Sequence, residues 1–463
     1  MKLTFYGACR KVTGSKHCLT LNDGTNILLD CGMHQGEVQD NYAKNANLPF
    51  DAASMNIAIV SHAHIDHTGL LPLLVKNGFA GKIYMTPATR DLAHILLMDS
   101  ANIQKSDFEF AQKKQLAGKK IELHDPLFNE EDVEKLMSHI VTINYLEPTE
   151  IHPDVQITLR DAGHILGASI IEIVTEGKKL VFSGDMGRVG LPILKDPDLP
   201  NKADYLIMES TYGDRLHDDT ADMEKDLMNE VNDIWERKGK LIIPAFSVGR
   251  TQEVVYLLHK LILENKIPKI PIFVDSPLSV AATDIYMKHA EVYDKETFET
   301  FLMKAKHPFH FENVTFVDSV EESMNLNFQK GPIIIISSSG MVENGRVVHH
   351  VKHALTDPNN MILAIGYMAE GTLGRKLING EKTVWIHGKE REVHAHVKAL
   401  HSFSAHADKN GLLALVTNLQ GLKKVFLVHG EEAQMEKFSQ KIKETLPNIE
   451  VFMPNEQDSF DLN

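Results

Sequence analysis

Cysteine is scarce: the 463 residues hold three, Cys9, Cys18 and Cys31, all near the N-terminus. So sparse and odd a set argues against a disulfide framework and fits a reducing compartment, with the three thiols read as small buried side chains on strands. No run of about 18 apolar residues occurs, which excludes a membrane-spanning helix. The opening MKLTFYGACRKVTG lacks the apolar stretch of a secretory signal, so a cytoplasmic location away from any membrane is expected. Positive charge is short as well, with 48 Lys and Arg against 63 Asp and Glu, a net charge of −15. A protein that grips a nucleic-acid backbone over a wide face is usually basic. Any hold on phosphates here has to come from a local basic groove and from bound cations. Internal repeats and low-complexity linkers are also missing.

Histidine, by contrast, is plentiful at 24 residues, and it is the commonest side-chain metal ligand. The chain is longer than one hydrophobic core supports, so at least two domains are expected. The first half reads as short strands bounded by turn residues, over 2–6, 17–21, 26–30, 56–61, 156–161, 169–174 and 179–183. Residues 88–119 have helical spacing and few breakers. After about Tyr212 strands and helices alternate. Strands are read at 240–245, 270–275, 332–336 and 361–365, with helices from near Gly249, Ser279 and Gly345. That alternation predicts a parallel sheet with crossover helices. Short strands return after Glu381, and a strand–helix–strand unit over 424–453 closes the chain. Chemistry-bearing motifs lie on both sides of the alternating block, which is therefore read as an insertion at 213–390 into a domain made of 1–212 and 391–463.

The strongest motif is Ser61-His62-Ala63-His64-Ile65-Asp66-His67, directly after the apolar run Ile57–Val60. Imidazole nitrogen and carboxylate oxygen both suit zinc. His62 and His64, two apart, can reach one ion, while Asp66 and His67 can turn towards a second. A solvated histidine-rich turn is the plainer alternative. His164, in Gly163-His164-Ile165, and Asp185, between Gly184 and Met186-Gly187, both end strands; a carboxylate so placed can bridge two ions. Asp30 ends the apolar run Ile27–Leu29 and is read as orienting a ligand histidine. Further pieces are Glu209-Ser210-Thr211-Tyr212-Gly213, Ser402-Phe403-Ser404-Ala405-His406-Ala407-Asp408 and Leu427-Val428-His429-Gly430. Arg250 opens a helix after Val248-Gly249 and is read as a two-pronged phosphate contact. Ser337, Ser338, Ser339 and Gly340 follow a buried strand and precede a helix, where hydroxyls and backbone N–H groups can hold a phosphate. His349, His350 and His353 share a helix and are read as a basic surface patch.

In this order the motifs resemble the metallo-β-lactamase superfamily, and the later set resembles its β-CASP branch of RNA-processing nucleases; the likeness covers nearly the whole chain. It implies an α/β fold, a four-layer αβ/βα sandwich with metals at one edge of two sheets and an inserted α/β β-CASP domain as a cap. Residue by residue it implies that His62, His64 and His164 hold one zinc ion, that Asp66, His67 and His429 hold another, and that Asp185 bridges them. Asp66, Glu209 and His406 would be catalytic, with His406 the proton donor to the leaving oxygen. A histidine at the position of His429 is similar to RNA-processing members rather than DNA-repair members. The implied activity is hydrolysis of single-stranded RNA by a water activated between two zinc ions, internally or from the 5′ end, leaving 5′-phosphate and 3′-hydroxyl. His and Asp ligands also accept manganese or iron, and a homodimer is open as a way to lengthen the binding surface. Two rivals are a hydrolase of the same fold acting on a small substrate and a catalytically silent RNA-binding or scaffold subunit. The inserted block and the full set of ligand-type residues count against both.

Overall fold

In the first half of the chain the strands alternate side chains between two faces, and one face of each is apolar; two such faces make a core. The computed structural model describes residues 1–36, 38–117, 122–304, 306–366, 368–369, 371–400 and 402–463. It divides into two units: Met1–Val189 with Asp196–Leu216 and His406–Asn463, and Gly190–Lys195 with His217–Ala405.

The first unit holds two seven-stranded sheets. One has the order Ser459–Asp461, Lys2–Phe5, His17–Thr20, Asn26–Leu29, Ile57–Ile59, Lys82–Met85, Ile140–Thr142. The other runs Glu450–Phe452, Lys424–Val428, Tyr205–Glu209, Lys178–Phe182, Ser169–Thr175, Val155–Asp161, Thr149–His152. Register places Leu3, Leu19, Ile27 and Ile57 in one cross-strand row. Leu159, Ile171, Phe182, Ile207 and Phe426 form a row in the second sheet. Both rows belong to a single buried cluster, so the sheets pack face to face. Helices flank the pair, Pro87–Leu116 and Glu130–Met137 beside the first sheet and Glu432–Thr445 beside the second. This is the four-layer αβ/βα sandwich. The helix read over 88–119 is Pro87–Leu116, opened by the Thr86 hydroxyl, which accepts the Thr89 N–H at 3.1 Å; Lys119 lies outside the described residues. Asn26–Leu29 and Ile57–Ile59 are parallel, and so are Lys178–Phe182, Tyr205–Glu209 and Lys424–Val428. Within each set the C-terminal ends therefore fall at one edge, which gathers the motif loops. The three cysteines are buried and free.

The second unit is built on a six-stranded sheet in which every pairing is parallel: Val314–Phe316, Ile272–Val274, Ile333–Ser337, Lys240–Pro244, Met361–Ile365, His396–Leu400. Its central strands are continuous apolar runs, as a sheet covered on both faces requires. The reading ended this unit at residue 390. His396–Leu400 pairs with Met361–Ile365 from Met361↔His396 to Ile365↔Leu400 and carries the unit on to Ala405. Only Leu400 of its five side chains is buried, so its apolar signal is weak. The histidine patch also needs correcting. On the helix Arg346–Ala354, His350 falls on the face of Val347, Val351 and Ala354 and is buried, with Nε2 2.5 Å from Asp275 Oδ2 and Nδ1 2.9 Å from Asn327 Oδ1. His349 and His353 remain exposed. No helix among the described residues is long and apolar enough to cross a membrane.

Ile171 is fully buried between the sheets, whereas Val174 on the same strand is 43 % exposed. Ile171→Ala is expected to cost about 2–5 kcal/mol through the cavity it leaves, and Val174→Ala within about 0.5 kcal/mol. Urea unfolding of the two variants measures the difference, and equal losses would contradict the face-to-face core.

Candidate metal centre

The first motif loop is fastened from below. Asp30 follows the strand Asn26–Leu29 in the left-handed backbone region (φ 58°) and is fully buried. Its carboxylate accepts the Ser61 N–H at 2.8 Å, the Ser61 hydroxyl at 2.9 Å and the Ser15 hydroxyl at 3.2 Å. The same carboxylate lies 2.7 Å from His67 Nδ1. Holding Nδ1 in this way fixes the ring and presents Nε2. His64 stands at the N-cap of the short helix Ile65–Thr68, which carries Asp66 and His67. Gly32 lets the two loops meet: a Cβ there would sit 1.6 Å from the Asp66 carbonyl oxygen.

The second sheet supplies the remaining groups. In the Asp161–Ser169 hairpin the Gly163 N–H is donated to Asp161 Oδ1 at 2.9 Å, and the Ser169 N–H reaches across to the Ser61 carbonyl at 2.8 Å. This places His164 beside the first motif. Asp185 lies just beyond Lys178–Phe182, and Gly187 then packs so close that a Cβ would lie 1.7 Å from the Gly163 oxygen. Glu209, fully buried at the end of Tyr205–Glu209, accepts the Met186 N–H at 2.5 Å. His429 follows Lys424–Val428 with φ 47°, an uncommon conformation for a non-glycine residue and frequent where a site demands it. Thr211 Oγ1 donates to the His429 carbonyl at 3.0 Å and lies 3.2 Å from its Nδ1.

These side chains form two overlapping groups whose ligand-type atoms lie within 4.8 Å of one another: His62, His64, His164 and Asp185; and Asp66, His67 and His429, with Asp185 also beside His429 and Glu209. In the first, His62 Nε2 is 3.0 Å from His64 Nδ1, His164 Nε2 is 3.3 Å from the same atom, and Asp185 Oδ2 is 3.5 and 3.8 Å from the His62 and His164 nitrogens. Four ligands tetrahedral about zinc at about 2.0–2.1 Å stand roughly 3.3 Å apart, so the donor set has the right span. In the second, Asp66 Oδ2 is 3.2 Å from His429 Nε2 and 4.0 Å from His67 Nε2. Asp185 Oδ2 lies 3.4 Å from His67 Nε2, and Oδ1 3.4 Å from His429 Nδ1, so this one carboxylate adjoins both groups. His67 Nε2, His164 Nδ1 and Asp185 Oδ1 are buried and make no hydrogen bond. Buried polar atoms rarely stay unsatisfied, and a cation among them accounts for His67 Nε2 and Asp185 Oδ1. The donor set fits divalent metal.

Charge agrees. Burial, then the neighbouring imidazoles, hold His62 and His164 well below the ordinary histidine range, and burial brings His64 down to about 4. These rings are neutral, the form that binds metal. For His67, burial alone would lower the value; Asp185, Asp30 and Asp66 outweigh it and hold the ring well above the usual range. For Asp185 burial would raise the value, and His429 and His67 outweigh it. The carboxylates thus draw positive charge into the place where a cation belongs.

His406 sits at the edge of this cluster, its ring centroid 4.5 Å from that of His164. Its Nδ1 lies 3.1 Å from Glu209 Oε2. Burial works against protonation, but Glu209 overcomes it and raises His406 to about 9. Asp408 caps the next helix by accepting the Asn410 and Gly411 N–H groups, so helix capping and the His406–Glu209 contact coexist. Ser61 and Thr211 were missed by the sequence reading; each polar residue adjoins a motif at the end of an apolar strand, which was the available signal.

The residues read as substrate contacts lie in the second unit. Arg250 is buried and pairs with Glu253 while lying over the Phe403 ring. The Ser337 hydroxyl donates to the Asp275 carbonyl at 2.7 Å. Ser338 Oγ bonds Ser276 Oγ at 2.8 Å, Ser339 Oγ accepts the Glu343 N–H at 3.3 Å, and Gly340 packs on Phe246.

Two seven-stranded sheets with a His/Asp cluster at one edge, interrupted by a parallel α/β unit, define a class of metallo-hydrolase folds. Residues 19–189 match the metallo-beta-lactamase superfamily domain, 251–377 the Beta-Casp domain and 378–454 the Zn-dependent metallo-hydrolase RNA specificity domain. A ribonuclease of Thermus thermophilus is 35% identical over 94% of this chain and 94% of its own length. An RNase J-like protein of Methanocaldococcus jannaschii is 33% identical over 98% and 97%, and the transcription termination factor FttA of Methanosarcina mazei is 33% identical over 93% and 67%. The chain belongs to the β-CASP branch of the metallo-β-lactamase superfamily.

If these side chains hold metal, returning zinc to the chelator-stripped protein raises its thermal midpoint, by about 2.7 kcal/mol of stability at a hundredfold excess over the dissociation constant. Asp185→Asn should abolish most of that rise, and Asp30→Asn should weaken zinc affinity about 10–100-fold in competition with a chromogenic chelator. A midpoint indifferent to zinc contradicts the metal assignment.

Proposed function

We propose that this protein is a metal-dependent ribonuclease that hydrolyses single-stranded RNA in the cytoplasm. The carrying observation is the cluster of seven ligand-type side chains with the His406–Glu209 pair at its edge. The printed names of the relatives, a ribonuclease and an RNase J-like protein, and the RNA specificity domain support RNA as the substrate.

In this reading His62, His64, His164 and Asp185 would hold one zinc ion, and Asp66, His67, His429 and Asp185 a second. When bound, such metal supplies Lewis acidity, neutralising phosphate charge and lowering the pKa of water. Asp66, set against His429 at the open side of the cluster, orients the attacking water. That water gives a proton to Asp66 and adds to phosphorus in line with the leaving 3′ oxygen, and the P–O3′ bond breaks as the new P–O bond forms. Glu209 occupies Nδ1 of His406, so Nε2 delivers the proton to the leaving oxygen. The products carry a 5′-phosphate and a 3′-hydroxyl. Ser338 and Ser339, half-exposed ahead of the helix Arg346–Ala354, are the candidates to contact a substrate phosphate. Arg250, paired with Glu253, and Ser337, bonded to the Asp275 carbonyl, are further candidates, each needing to give up that partner to meet a phosphate.

His406→Ala should lower the rate of RNA cleavage about 10²–10⁴-fold while the bound metal is unchanged, whereas His64→Ala should lose metal as well. The assay is cleavage of 5′-labelled RNA beside a matched DNA, with metal content measured on the same samples; the product ladder separates internal from end-directed cutting. A metal-loaded protein that leaves RNA intact sinks the ribonuclease reading, and wild-type cutting by His406→Ala sinks the proton-donor role alone.

A further inference from the structure

The second unit carries a groove of about 900 Å³ lined by its own residues. It lies between the end of the helix Val320–Leu326, the helix Arg346–Ala354 and the ribbon of Thr383–Ile386 with Lys389–Glu392. Along the ribbon Val384 and Ile386 enter the core, so Trp385 is turned outward and is 69% exposed; Phe328, beyond the other helix, is 75% exposed. Val320 and Met324, also exposed, line the same groove, and a contiguous run of large apolar side chains facing water marks a contact surface.

The charges lining the groove are mostly positive, although Glu390 stands opposite Trp385 on the ribbon. Lys352 and Lys376 line the groove, and the His349 ring stands 4.7 Å from that of His387. Among the described lining residues the one carboxylate is Glu343, which accepts the Leu373 N–H at 2.6 Å and so caps a helix. Arg346 is turned inward to Asp275 and to the carbonyls of Val317 and Asp318. His349 and His353 are held below the ordinary histidine range by burial first, then by cations that include Lys352 at both. The rings are therefore neutral, and on a chain of net charge −15 the local positive charge of the groove is that of Lys352 and Lys376. Cations beside flat exposed rings match phosphates alternating with bases.

We propose that this groove is a further binding site for single-stranded RNA, in which Trp385 and Phe328 stack on bases and Lys352 and Lys376 meet phosphates. The inference rests on the ribonuclease reading and adds a contact site made of none of the metal-cluster residues.

The test is fluorescence anisotropy with labelled oligouridine of about 20 nucleotides and metal-loaded, full-length protein in a His406→Ala background. Lys352→Ala with Lys376→Ala should weaken binding at low salt and flatten the slope of log affinity against log salt by about 1.4, two phosphates' worth. Trp385→Ala with Phe328→Ala should weaken binding about fivefold or more with the slope unchanged, and Trp385→Phe should retain it. With His406 intact, all groove variants should hydrolyse bis(p-nitrophenyl) phosphate at the wild-type rate, since they leave the metal cluster untouched. Unchanged affinity and slope in both double variants overturn the groove while leaving the ribonuclease reading standing. So does a dimer in sedimentation that the ring variants split without altering RNA affinity. A wild type that hydrolyses the small ester but neither binds nor cuts RNA overturns both.

Discussion

The contact on which the metal centre depends is between Asp30 and its four donors. A fully buried carboxylate is costly unless its oxygens are satisfied, and here the Ser61 N–H, two serine hydroxyls and His67 Nδ1 satisfy them. The arrangement acts in three directions. It closes the turn out of the strand Ile57–Ile59, it sets the tautomer and angle of His67, and through Ser61 it touches His62, whose Nδ1 lies 3.1 Å from the serine oxygen. The Ser61 carbonyl in turn accepts the Ser169 N–H and hydroxyl, so the loop of the first sheet and the hairpin of the second share one residue. Face-to-face packing brings the two sheet edges near each other; this short network converts nearness into ligand geometry.

The same logic accounts for the glycines and the left-handed residues around the cluster. Side chains from two sheets can converge only if the backbones carrying them approach closely. Gly32 and Gly187 stand where a Cβ would overlap a carbonyl oxygen of the opposing loop. Asp30 and His429 accept left-handed backbone at the ends of their strands. Such conformations cost of order 1–3 kcal/mol each, offset here by the buried strands that precede them.

The fold and the cluster were legible in the sequence because each motif directly follows a run of buried β residues, and strand ends are where this architecture collects its loops. The parallel second sheet and the histidine-rich loop followed from that pattern, whereas the two-sheet sandwich came from the resemblance of the motifs to the metallo-β-lactamase superfamily. Less visible were contacts set by tertiary geometry. Ser61 and Thr211 look like ordinary polar neighbours until the Asp30 and His429 partners are in place. His350 resembles its exposed neighbour His349, yet a turn of about 100° per residue carries it into the core against Asp275. The strand His396–Leu400 was hidden because this edge strand buries only Leu400 and so carries a weak apolar signature.

Net charge looks at first like an argument against RNA. Its reach is limited, however, since exposed charges separated by more than about 8–10 Å are screened at ordinary ionic strength. A phosphate therefore responds to the groups within that distance, and at the metal cluster these include Asp66, Asp185 and Glu209, whose negative charge only bound cations can reverse. On the proposed reading, an acidic site of this kind would repel RNA when stripped of metal and attract it when loaded. Affinity and catalysis would then depend on the same ions, and in the proposed groove Lys352 would supply hold on the strand that does not depend on metal. The acidity of the chain and its reading as a ribonuclease are compatible because bound cations, together with the protonated His406, would supply the positive charge that meets the scissile phosphate.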